Sequence, residues 1–161
     1  MNDPLAFFLT WSTYGSWLPG DARGWTEYHH GWQMPAPALE LECQARMTED
    51  SVRLNPLERK TVEIQVAETC QHRGWTLHAV NCRSNHIHVV VTAFNTKPKK
   101  VRIDLKAYAT RSLKSNYDSD RENWWAERGS IRHIHNESTL EAAIMYTLVA
   151  QDRKDRDTNT Q

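Results

Sequence analysis

The chain has 161 residues, room for one domain with a single core and little more. Hydrophobic residues make up 39% and charged residues 25%, which excludes wholesale disorder. Lys+Arg 20 cancels Asp+Glu 20, which excludes a protein that coats DNA by bulk charge, though not one with a local basic patch.

Three cysteines, Cys43, Cys70 and Cys82, form no CxxC pair, so neither a disulfide framework nor a thiolate zinc site is expected. No apolar run approaches the roughly 20 residues that span a bilayer. Met1–Asn2–Asp3–Pro4 lacks the basic start of a signal peptide. A cytoplasmic protein with no membrane partner is the expectation.

Ala6 to Tyr14 (AFFLTWSTY) is rich in aromatic and β-branched types and reads as a strand. A long irregular loop follows over 15–38, with four glycines and three prolines. Trp17, Trp25 and Trp32 in this loop have two open roles, packing the loop or stacking on unpaired bases. Leu39 to Met47 forms a short helix. Asn55–Pro56 supplies an N-cap and a first-turn proline for a helix that runs to Arg73 and stops at Gly74. Trp75 to Cys82 is a strand, Arg83–Ser84–Asn85 a tight turn, and His86 to Ala93 (HIHVVVTA) the clearest strand in the chain. Lys99 to Asn116 is a helix with Val101, Leu105, Tyr108 and Ser112 on its apolar stripe. Ile131 to His135 is a short strand. Ser138-Thr139-Leu140-Glu141 matches a capping box and opens a last helix to about Gln151. Residues 1–152 thus make one domain and 153–161 a flexible tail. The order predicts an α+β fold, a ferredoxin-like βαββαβ core with an antiparallel sheet, helices on one face, a long loop after strand 1 and a tyrosine on the C-terminal helix.

Alternation along a strand sends His86, His88, Val90 and Thr92 to one face and Ile87, Val89, Val91 and Ala93 to the other. Two neighbouring imidazoles can hold one metal ion, or can be ordinary polar residues on a wet face. In the last helix Leu140, Ile144 and Leu148 form the apolar stripe, and Tyr146 lies roughly 160–200° from it at about 100° per residue. That position beside alanines leaves the phenol room to meet a substrate, or makes it a surface tyrosine. Lys97, Lys99, Lys100, Arg102, Lys106, Arg111 and Lys114 fall within eighteen residues against the single acid Asp104. This stretch is either a phosphate-binding patch or a solvated helix face. His78, His133 and His135 read as structural.

These features together resemble the single-tyrosine HUH transposases of insertion sequence 200 type, including the REP-associated tyrosine transposases. The resemblance is carried by Ser84-Asn85-His86-Ile87-His88-Val89-Val90-Val91, by Leu105-Lys106-Ala107-Tyr108, by a turn over Trp125 to Gly129, and by Tyr146 with Gln151. The opening Trp11-Ser12-Thr13-Tyr14-Gly15-Ser16-Trp17-Leu18-Pro19-Gly20-Asp21 looks like a branch with a long loop after the first strand. It spans roughly residues 5–152.

The resemblance implies a nuclease and strand transferase acting on single-stranded DNA, with hairpin-forming element ends as partner. His86 and His88 would hold Mg²⁺ or Mn²⁺, and Tyr146 would form a 5′-phosphotyrosine. A homodimer is common among such proteins. The third metal ligand is usually a Gln one helical turn after the tyrosine. Ala150 occupies that place here, and Gln151 stands one residue later, so it would ligate only from a bulged or ending helix. Asp152 is the other candidate. Three alternatives stay open: a replication-initiator nickase of the HUH type, a non-catalytic hairpin-binding protein derived from a transposase, and a zinc protein unrelated to DNA.

Overall fold

The computed structural model of the chain describes residues 3–27 and 29–150; the tail 153–161, Gln151 and Asp152 lie outside the described residues. Four strands build the main sheet: β1 (Ala6–Thr13), β4 (Thr76–Cys82), β5 (His86–Thr92) and β6 (Trp125–Ile134). Their order is β4-β5-β1-β6, every neighbour antiparallel. The helix α2 (Pro56–Arg73) links β1 to β4 across β5, and α3 (Pro98–Asn116) links β5 to β6 across β1. These two interleaved split βαβ units make the ferredoxin-like core that the element order predicts.

Period-2 alternation decides which side chains each face buries. Phe7, Leu9 and Trp11 of β1 and Ile87, Val89 and Val91 of β5 join Val62 and Val66 of α2 and Val101, Leu105, Ala109 and Leu113 of α3 in the larger core. The α3 stripe is therefore Val101, Leu105, Ala109 and Leu113. Tyr108 sits at its flank, beneath the Arg111 guanidinium at 5.3 Å. Ala6, Phe8, Ala79, Val90 and Ile134 face the other way. They are covered by Leu140, Ala143 and Ile144 of α4 (Glu137–Met145). Helices thus cover both faces rather than one, because α4 crosses to the second face.

Local chemistry accounts for most element ends. Asn55 accepts from the Glu58 backbone N–H at 2.8 Å, and the Glu58 carboxylate accepts from the Asn55 N–H at 2.9 Å, closing the start of α2. Gly74 ends it in the left-handed region at φ 75°. The last helix is capped by Asn136, whose side chain accepts from Thr139 N at 2.8 Å, rather than by a box on Ser138 and Glu141. Asn136 is still extended there, whereas Ser138 already lies in the first turn.

Two segments are more regular than their sequence suggests. The loop over 15–38 holds a hairpin, β2 (Trp25–Glu27) with β3 (Gly31–Gln33), followed by α1 (Pro37–Arg46). Trp125 to Gly129 is strand, not turn. It pairs with β1 around a bulge between Trp11 and Thr13. Gly129 makes that pairing possible, since a Cβ there would fall 2.3 Å from the Thr10 carbonyl oxygen and 3.0 Å from Trp11 Cβ. Gly129→Ala is accordingly expected to destabilise the fold by about 1–3 kcal/mol, measured by chemical denaturation.

Candidate active site

His86 and His88 project from the second face of the sheet, their ring centroids 4.9 Å apart. Each ring is held by its Nδ1. That of His88 lies 2.8 Å from the hydroxyl of Thr10, its direct cross-strand partner. That of His86 lies 2.7 Å from the Asn85 side-chain oxygen. His88 is buried and stacks on Phe8 at 5.4 Å. A metal shared by these rings would therefore bind through Nε2, with Thr10 and Asn85 orienting the ligands. The donor set fits in part. Two imidazoles this close can touch one ion, but among the described residues no group of three His, Cys, Asp or Glu side chains stands ready to hold one. An oxygen ligand has to come from elsewhere, which a hard ion such as Mg²⁺ requires.

Tyr146 comes to the same place within the same chain. Its ring lies 5.6 Å from that of His88 and 6.2 Å from Phe8, and the residue is 37% exposed. The helical phase read from an ideal α-helix put it opposite the packed face, with Leu148 toward the core. Tyr146 is indeed exposed, but Leu148 is exposed as well and Thr147 is wholly buried, so the packed face runs through Leu140, Ala143, Ile144 and Thr147. Thr147 falls one turn after Ala143 and Ile144, and from Tyr146 to Ala150 the helix widens into a π-turn.

Asn81 fixes that turn. It stands opposite His88 in the β4–β5 register and is buried, and its side-chain amide donates to the Thr147 carbonyl at 2.8 Å. The Thr147 hydroxyl in turn donates to the Ala143 carbonyl at 2.8 Å. Thr10, His88 and Asn81 thus form one polar row across three strands, directly under the tyrosine. Sequence reasoning passes over Thr10 and Asn81. The available signal was a polar residue on each strand flanking β5, in register with a histidine.

The other predicted residues do not converge here. The basic helix α3 packs on the opposite face of the sheet from His86 and His88. Arg102 is buried against the core, and burial lowers its pKa. Lys106 donates to the Ala126 carbonyl at 2.7 Å and the Glu127 carbonyl at 3.3 Å. Lys100 pairs with Asp104 and Lys114 with Glu122. Arg111 lies on Tyr108, and Lys97 and Lys99 are exposed near the helix start. The seven cations are therefore not one patch beside the imidazoles. A cation that does share the site's face is Arg132, the cross-strand partner of Phe8. His78 meets the Thr92 hydroxyl at 2.7 Å, and His133 packs edge-on against Phe7 at 5.5 Å. Gln151 lies outside the described residues.

Burial first, and then the like charge of Arg102, bring the Lys106 ammonium down from 10.5 to about 8. Between those values the unfolded chain binds the extra proton. Unfolding free energy should therefore rise with pH through that window, and Lys106→Met should remove the rise. Denaturation curves taken across the window check this.

No helix among the described residues is long and apolar enough to cross a membrane. Residues 49–142 match the family model described as "Transposase IS200 like". The match takes in His86 and His88 and stops short of Tyr146. No curated protein sequence matches the chain. Among solved structures, the chain resembles a REP-associated tyrosine transposase bound to a REP hairpin, with a TM-score of 0.57 at 11% identity, over 96% of this chain and 70% of that one. It also resembles a candidate transposase from Deinococcus radiodurans, with a TM-score of 0.50 at 12% identity, over 94% of this chain and 90% of that one. At such identities these likenesses concern the fold, whereas the family match spans more than half of the sequence. The chain belongs to the IS200-like transposase family.

Proposed function

We propose that this transposase cuts and rejoins single-stranded DNA through a covalent bond to Tyr146. The observation that carries the reading is the Tyr146 ring 5.6 Å from His88, itself 4.9 Å from His86. Tyr146 Oη attacks the scissile phosphorus. The O–P bond forms as the P–O3′ bond breaks, the phenol's proton passes to solvent, and the leaving 3′ oxygen takes one up. The phosphodiester energy stays in the phosphotyrosine, so a 3′-hydroxyl can reverse the step without ATP. A divalent ion, Mg²⁺ or Mn²⁺, would neutralise phosphate charge and stabilise the transition state when bound. His86 and His88 would hold it, with Gln151, outside the described residues, as the third ligand.

The partner is single-stranded DNA with hairpin ends, by analogy with the REP hairpin held by the structural relative. Arg132, on the site's face, supplies a phosphate contact. The test is incubation with labelled single-stranded hairpin DNA and Mn²⁺, followed by denaturing electrophoresis. A protein–DNA adduct that forms with Mn²⁺ and not with a chelator is the expected result. Cleavage of DNA without any adduct would overturn the proposal, as would stable hairpin binding with no cleavage, which points to a non-catalytic binder.

A further inference from the structure

The chemistry proposed for His86, His88 and Tyr146 leaves the loop between β1 and α1 unused. Two of its indoles are exposed, Trp17 at 47% and Trp32 at 61%. Neither is loose. The Trp17 indole N–H donates to the Gly24 carbonyl at 2.8 Å, and the Arg23 guanidinium lies over its ring at 4.0 Å. Asp21 grips that guanidinium at 2.8 and 2.7 Å, and the guanidinium also donates to the Ser16 carbonyl at 2.9 Å. Trp32 covers Gly24 from β3. A Cβ at residue 24 would come within 2.1 Å of its ring, and the φ of +85° there also favours glycine. Both indoles therefore abut one residue and are fixed in orientation.

The platform is tied to the imidazole end of the sheet. The Ser16 hydroxyl donates to the Thr13 carbonyl at 2.9 Å, the Thr13 backbone N–H donates to the Asn85 carbonyl at 2.8 Å, and the Asn85 side chain meets His86 at 2.7 Å. Arg23 covers one side of the Trp17 ring and Gly24 abuts the Trp32 ring, yet both indoles keep exposed surface, and rings already ordered in this way lose little entropy on gaining a flat partner. The partner's attraction is through its ring rather than its charge, since Asp21 already neutralises Arg23. An unpaired base offers such a face, whereas a bare phosphate does not.

We propose that Trp17 and Trp32 form a stacking platform for unpaired nucleobases of the DNA strand that leads to His86. The ligand class rests on the reading given under Proposed function; the platform itself rests on the loop geometry. The test uses a short thymidine oligonucleotide and an abasic phosphodiester chain of equal length, both with chelator so that no cleavage occurs. Binding is followed by tryptophan fluorescence and by anisotropy of a labelled strand. The thymidine strand should quench the fluorescence and bind about tenfold or more tighter than the abasic chain. Trp32→Ala should lose about tenfold in affinity for thymidine and nothing for the abasic chain, and Trp32→Phe should restore most of it. Trp32 is exposed, so its variants keep the fold, and a thermal melt confirms it. Equal binding of the two strands by the native protein would overturn the platform, and so would an unchanged thymidine affinity in Trp32→Ala. Tryptophan-dependent binding without any Mn²⁺-dependent adduct sustains the platform and sinks only the catalytic reading.

Discussion

Tyr146→Phe is expected to abolish covalent capture of DNA, lowering adduct yield by more than about 10³-fold, while hairpin affinity stays within about twofold. The change removes one oxygen and leaves the ring, so the contacts with Phe8 and His88 survive. The residue is 37% exposed, so the melting temperature should change little. Electrophoresis of adducts alongside anisotropy of a labelled hairpin separates the two quantities. A Phe variant that still forms adduct at the native rate would move the nucleophile to another residue.

The second large effect is expected at Asn81, which touches no substrate and acts through the turn that carries the tyrosine. Asn81→Leu keeps the volume and removes the donor to the Thr147 carbonyl. That buried oxygen then lacks this bond, at a cost of about 1–3 kcal/mol in stability. The π-turn also loses its tether to the strand that lies opposite His88. A displacement of the phenol by as little as about 1 Å lowers the rate up to about 10²-fold. The decisive readout is the adduct rate at saturating hairpin and Mn²⁺, measured well below the variant's melting temperature. A merely structural asparagine would lower the melting point and leave that rate intact. A positioning one slows the rate while binding persists.

The imidazole pair was legible because a strand has a fixed period of two. Once β5 is recognised from its valines, His86 and His88 must share a face. The start of α2 was equally plain, since Asn55 and Pro56 satisfy the groups that a helix start leaves unpaired. The last helix shows where residue type misleads: the apolar Leu148 suggests a packed position but is exposed, while the polar Thr147, one turn after Ala143, is buried. The π-turn after Met145 is tethered by Asn81, 66 positions from Thr147 in sequence, and no periodicity within the helix encodes that contact. The basic run over 97–114 misleads for a related reason. Charge density along a sequence does not say which face of the sheet the helix will cover, and Val101, Leu105, Ala109 and Leu113 bind α3 to the face away from the site. The hairpin within the Trp-rich loop escaped because its strands are only three residues each, too short for alternation to register.

The most direct measurement is peptide mass spectrometry on protein incubated with single-stranded hairpin DNA and Mn²⁺, after nuclease trimming of the bound strand. The account predicts a 5′-linked nucleotide on residue 146, absent when the ion is chelated or when His86 and His88 are both replaced by alanine. A nucleotide on any other side chain, or cut DNA with none attached, would contradict it.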